Sequence, residues 1–158
     1  MKYLNILFFI LFAGTPMAEE RFINYQDAHP QAIKEINQAS LQTINDFKEH
    51  GIKEFGYDEA SIKVLNDIIT SERTHYSENA KKTLPNLWGA YLGNAIIKNI
   101  GGKWVKYNNQ YAVLVGVGKP HISFPIQKIH EHISNGEIDS IYSFYLSTIK
   151  INEEISTE

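Results

Sequence analysis

The chain has 158 residues, 43% hydrophobic and 21% charged, with 15 basic against 18 acidic side chains and a formal charge of −3. Length and composition describe one globular domain rather than a disordered chain. The absence of cysteine excludes disulfides, thiolate catalysis, Cys-based zinc sites, Fe–S clusters and a lipid-bearing cysteine anchor.

The elements follow in chain order. Lys2, the apolar run Ile6–Ala13, the break at Gly14-Thr15-Pro16 and Met17-Ala18 before Glu19-Glu20 have the three-part layout of a secretory signal peptide. Residues 1–18 are therefore expected to be a leader cleaved after Ala18. The run is shorter than the roughly 20 apolar residues a spanning helix needs, and no second such run follows. The expectation is an exported protein, periplasmic before extracellular, with no stable membrane insertion once the leader is removed. Residues 19–29 carry no period and read as an arm.

Residues 30–150 read as a single α+β domain. Pro30 opens a first helix to about residue 50, with Ile33, Ile36, Ser40, Ile44 and Phe47 at helical spacing and Gly51 as its stop. Asp58 caps a second helix, 58–71, striped by Ile62, Leu65, Ile68 and Ile69. Thr70–Lys82 is polar and reads as a loop or a kinked continuation. Thr83 is expected to cap the third helix, with Pro85 in its first turn. Leu84, Leu87, Trp88, Tyr91, Leu92, Ala95 and Ile96 share one face, and Gly101-Gly102 end the helix.

The period then changes from helix to strand. Trp104–Tyr107, Tyr111–Val117 and His121–Phe124 read as a three-stranded antiparallel meander, turned at Asn108-Asn109-Gln110 and Gly118-Lys119-Pro120. Pro125 opens a fourth helix with Ile126, Ile129 and Ile133 on its apolar face, stopped at Asn135-Gly136. Asp139 is expected to cap a fifth helix burying Ile141, Tyr142, Tyr145 and Ile149, and residues 151–158 form a flexible polar tail. Helices and strands are segregated, which indicates α+β rather than α/β.

The run Leu87-Trp88-Gly89-Ala90-Tyr91-Leu92-Gly93-Asn94, then Gly101-Gly102-Lys103-Trp104, Phe124-Pro125, Asn135-Gly136 and Asp139-Ser140-Ile141 resembles the bacterial domain-of-unknown-function family 3806. The likeness spans about Phe55 to Ile149. That family implies a Tyr-Leu-Gly-Glu helix, a Gly-Gly-x-Trp turn and a C-terminal helix pair, but no activity. This chain departs from it with Gly93-Asn94 where the family has Gly-Glu. An amide does not titrate near neutral pH, so it cannot serve as a general acid or base, although it still hydrogen-bonds. Gly89 and Gly93 lie four apart on one side of the helix and permit another element to approach closely. Gly89, Gly93, Asn94, Gly101 and Gly102 are thus expected to be structural.

Candidate chemistry is sparse. His130 and His132 stand two apart, about 200° around a helix, and cannot share an ion from it; they read as solvated. Ser123, His121 and Asp139 hold the atoms of a hydrolytic triad without a nucleophile elbow. Asp67, Glu72 and Glu78 are scattered carboxylates of no defined separation. Arg73, one of two arginines, has the fork to bind a carboxylate or to pair at the surface. Trp104, Tyr107 and Tyr111 flank a turn and form the candidate partner surface, with cover for the helices as the alternative. The densest basic cluster is Lys81-Lys82, too small for a phosphate-backbone footprint, so no nucleic-acid partner is expected.

The sequence thus favours a non-enzymatic binding module of the bacterial envelope, without cofactor or metal, whose partner is another protein, neutral or basic to suit the acidic balance of the chain. An immunity-type toxin inhibitor is one version. The alternative is a small periplasmic hydrolase assembled from residues such as His121, Glu72 and Arg73. Convergent titratable groups in a deep pocket would favour the hydrolase; exposed Trp104 and Tyr107 would favour the binder.

Overall fold

The computed structural model describes residues 24–116 and 120–156. The expected leader, the first part of the arm and Gly118-Lys119 of the second sheet turn lie outside them. The order is β1 (Gln26–Asp27), α1 (Pro30–Glu49), α2 (Glu59–Glu72), α3 (Glu78–Ile100), β2 (Lys103–Tyr107), β3 (Gln110–Val115), β4 (His121–Ser123), α4 (Pro125–Asn135), a 3-10 turn (Gly136–Asp139) and α5 (Ile141–Ser156). The class is α+β, with five helices and one antiparallel sheet among the described residues. Among the described residues no helix is long and apolar enough to cross a membrane.

The sheet has four strands in the order β1-β2-β3-β4, one more than the meander the sequence suggests. The extra strand comes from the arm: Gln26 pairs with Lys106 and Asp27 with Val105. Two residues are too few to carry an alternating pattern. Their pairing is a backbone matter, reinforced by the Lys103–Asp27 ion pair and by Lys103 over the Tyr25 ring. The β2–β3 hairpin turns at Asn108 and Asn109, both at positive φ (46° and 64°), a conformation Asn tolerates in two-residue hairpin loops.

Three helix boundaries follow from capping. Asp58 takes its expected place, its carboxylate accepting from the Ser61 N–H at 2.9 Å; that bond holds the Asp58 pKa below its ordinary value. The third helix, by contrast, starts at Glu78 rather than near Thr83. Ser77 is its cap, accepting from the Ala80 N–H, while the Thr83 hydroxyl turns back onto the Asn79 carbonyl. Pro85 therefore lies inside the helix, where it leaves the Lys81 carbonyl without its i+4 donor. At the fifth helix the cap is Ser140, whose Oγ accepts from the Ser143 N–H. Asp139 instead binds Lys128 and Asn135, each at 2.7 Å. α5 continues to Ser156, through most of the segment expected to be a tail.

Helix α3 is the centre of the fold. Trp88 to Gly93 is buried without interruption, as are Ala95 and Ile96, so the helix is covered on nearly all sides, as a central helix must be. α1, α4 and the sheet pack around it. The two helical glycines set these approaches. A Cβ on Gly89 would lie 2.5 Å from the Cα of Ile126, and one on Gly93 would run into the Trp104 ring. Phe47, Phe55, Tyr57 and Tyr91 stack in a row beside α3. The Tyr91 hydroxyl donates to the Gly56 carbonyl at 2.7 Å, which satisfies the polar end of a fully buried ring.

Candidate functional site

Successive strand residues point to opposite faces of a sheet, and this decides the aromatic cluster near the β2–β3 turn. Trp104 pairs across from Val113, and Tyr107 from Gln110. An odd spacing separates them, so the two rings cannot share a surface. Trp104 faces α3 and is 4% exposed. Its indole N–H donates to Asn94 Oδ1 at 2.8 Å, and Asn94 Nδ2 donates to Asn37. The expectation that Trp104 presents itself to a partner is corrected: Gly93 makes room for its ring, and Asn94 satisfies its only polar atom. Tyr107 lies on the other face, edge-on to Phe124 at 5.9 Å, in a second small cluster with Val105, Ala112 and Leu114. Of the three, Tyr111 alone lines a recess.

That recess is a groove of about 590 Å³ between the first half of α3, the β2–β3 turn and the start of α4. Pro85, Tyr111, Phe124 and Ile126 supply its apolar lining; Asn86, Asn109, Gln110 and Gln127 supply carboxamides; Lys81, Lys82 and His130 supply the ionisable side chains. Among the described residues no carboxylate lines it, in a chain whose acids outnumber its bases. Lys81 forms an exposed pair with Glu78 of the preceding turn at 2.9 Å. Lys82 has no acidic partner among the described residues. A smaller polar hollow of about 180 Å³ adjoins across Asn109 and includes Tyr25 and Lys106. The volume is that of a ligand pocket; the shape is an open trough.

The other sequence candidates are dispersed. Arg73 binds neither a carboxylate nor a surface partner: its Nη1 donates to the carbonyls of Ser134 (2.9 Å) and Ile133 (3.4 Å). It closes the C-terminal end of α4 over Gly136. His121 lies just before the N-terminal end of α4, an 11-residue helix roughly 16 Å long. Arg73 and His121 thus stand at opposite ends of it. Both His121 nitrogens are buried without a hydrogen-bond partner, and burial holds its pKa below the ordinary value. It bonds neither Ser123 nor Asp139, so no triad forms. Asp67 pairs with Lys63 within α2, and Glu72 lies 3.6 Å from His75 in the turn that follows it; both are local contacts. Among the described residues no group of three or more His, Asp or Glu side chains could hold a metal.

His132 overturns the reading of both helix-four histidines as solvated. His130 is exposed, but the His132 side chain is 0% exposed. Its Nδ1 accepts from the Ile141 N–H at 3.4 Å, which assigns the proton to Nε2; that N–H donates to Thr70 Oγ1 at 2.9 Å, and the Thr70 hydroxyl donates to Glu137 at 2.9 Å. Burial holds the His132 pKa below its ordinary value, against the opposing pull of Glu137. The imidazole is a neutral strut joining α2, α4 and α5.

Of the groove residues the sequence singles out Tyr111, His130 and the Lys81-Lys82 cluster, but it does not bring them together, because they come from segments 81–86, 109–111 and 124–130, each too short to signal a site. Compared with protein-family models, with curated proteins and with solved structures, the chain matches none, and its resemblance to family 3806 rests on the quoted motifs alone.

Proposed function

We propose that this protein is a non-enzymatic binding module, exported to the bacterial envelope, that receives a segment of a partner protein in the groove between α3, the β2–β3 turn and α4. The observation that carries the reading is the lining of that groove. Buried and half-buried apolar side chains and exposed carboxamides line it together; Gln127 already donates to Glu131 at 2.7 Å, which leaves Asn86, Asn109 and Gln110 for a ligand. A carboxamide donates and accepts at once, as a peptide backbone requires.

A hydrolytic reading has less support. His121 and Arg73 stand at opposite ends of α4, and the Arg73 fork is committed to the Ser134 and Ile133 carbonyls. Nor does the groove hold a nucleophile with a base in hydrogen-bond reach, the minimum such a site needs.

The test compares the purified protein with its Asn86→Trp variant as baits for envelope extract. Asn86 is exposed on α3 at the groove, so an indole there fills the trough without entering the core. The expected result is a specific protein recovered by the wild type and lost with the variant. Equal recovery by both baits would place the interaction elsewhere and refute the groove.

A further inference from the structure

We infer that the segment taken by the groove is acidic: an extended stretch of a partner polypeptide carrying Glu or Asp side chains that meet Lys81 and Lys82. This rests on the binding reading above and adds the chemistry of the partner.

The argument is one of charge and shape together. Lys81 and Lys82 lie on α3 at the groove, and among the described residues no carboxylate lines it. Lys82 meets no acidic partner among the described residues, and the Glu78 side chain that meets Lys81 is 81% exposed. Such an exposed pair is worth little and yields readily to a better-placed carboxylate. Lys106 extends the same sign into the adjoining hollow. The chain as a whole is negative, so this face is a local inversion of sign. An acidic ligand is drawn to it and repelled by much of the remaining surface. A duplex or a long polyanion needs a far broader basic face than two or three lysines, whereas a short acidic segment matches their number. The apolar lining at Tyr111 and Ile126 takes side chains between the acids, and the carboxamides of Asn86, Asn109 and Gln110 take the backbone.

The experiment measures fluorescence anisotropy with fluorescein-labelled octapeptides (Glu-Ala)4, (Gln-Ala)4 and (Lys-Ala)4, and with an eight-nucleotide oligothymidine. The protein is wild type, Lys81→Gln/Lys82→Gln, or Asn86→Trp. Glutamine keeps helix propensity close to that of lysine, and circular dichroism checks that each variant is folded. The acidic peptide should bind about tenfold more tightly than the glutamine peptide. The double lysine variant should lose about tenfold in affinity for it, and Asn86→Trp should abolish binding. Affinity for the acidic peptide should also fall as salt rises. Equal affinity for the acidic and glutamine peptides, with Asn86→Trp blocking both, would overturn the acidic assignment and leave the binding groove standing. Binding that survives Asn86→Trp would overturn the groove itself. Tighter binding of the oligothymidine than of the acidic peptide, or no binding of the acidic peptide up to about 1 mM, would also refute the inference.

Discussion

Replacing Gly89 by alanine sets two physical effects of opposite sign against each other. In an isolated helix the change is favourable by about 0.8–1 kcal/mol, because glycine loses more backbone freedom on folding. In this fold the new Cβ would stand 2.5 Å from Ile126 Cα, 2.8 Å from its Cγ1 and 3.0 Å from its backbone N. Carbon atoms in contact prefer about 3.5–4.0 Å, so the start of α4 would have to retreat by roughly 1 Å. The obstacle is backbone, not the end of a mobile side chain. Nor is α4 free to move. It begins one residue after β4, Pro125 lies over Gly93, and Arg73 and His132 hold its other end. Overpacking of this kind costs about 1–3 kcal/mol or more. With the propensity gain set against the upper part of that range, Gly89→Ala should lose about 1–2 kcal/mol, a fall in Tm of roughly 3–8 °C for a domain of this size. Thermal melting by circular dichroism, with urea unfolding to confirm that the midpoint moves at constant slope, measures it. An unchanged or raised Tm would show that α3 and α4 do not approach as closely as described, and the central packing argument would fail.

Asn94→Ala removes the acceptor from the Trp104 indole N–H, a donor that is almost wholly enclosed; the loss should be about 1–3 kcal/mol in urea unfolding, and Asn94→Gln, which keeps the carbonyl, should recover part of it. His132 predicts acid sensitivity. Its folded pKa lies below the unfolded value of about 6.5, so its contribution is complete above that pH and is lost as pH falls through it toward the folded value. At pH 5.5 the loss is at most about 1.4 kcal/mol if the folded imidazole is still neutral. In His132→Gln, urea unfolding between pH 7 and 5.5 should have a correspondingly shallower dependence on pH than the wild type; identical slopes would contradict the neutral strut. Thr70→Val leaves His132 Nε2–H without its acceptor and should cost about 1–3 kcal/mol in the same assay at pH 7.

The sequence by itself determined the class, the helix faces and most of the stops. Ile62, Leu65 and Ile69, and likewise Trp88, Tyr91, Leu92 and Ile96, were legible as buried because helical periodicity records which side chains share a side. Gly51, Gly101 and Gly136 were legible because positive φ favours a residue without Cβ. Where neighbouring residues share the capping chemistry, the sequence misled: Thr83 and Asp139 were the expected caps, but the packed fold places Ser77 and Ser140 there instead. The pairing of Gln26-Asp27 with β2 was invisible because two backbone hydrogen-bonding residues leave no pattern. Which side of an element meets which neighbour was likewise a tertiary decision. It buried Trp104 and His132, turned Arg73 from a ligand candidate into a helix cap, and brought Lys81, Lys82, Tyr111 and Gln127 to one trough from segments up to 46 residues apart in the chain. Periodicity is a local property, whereas a groove is the space left between elements once packing has fixed their distances.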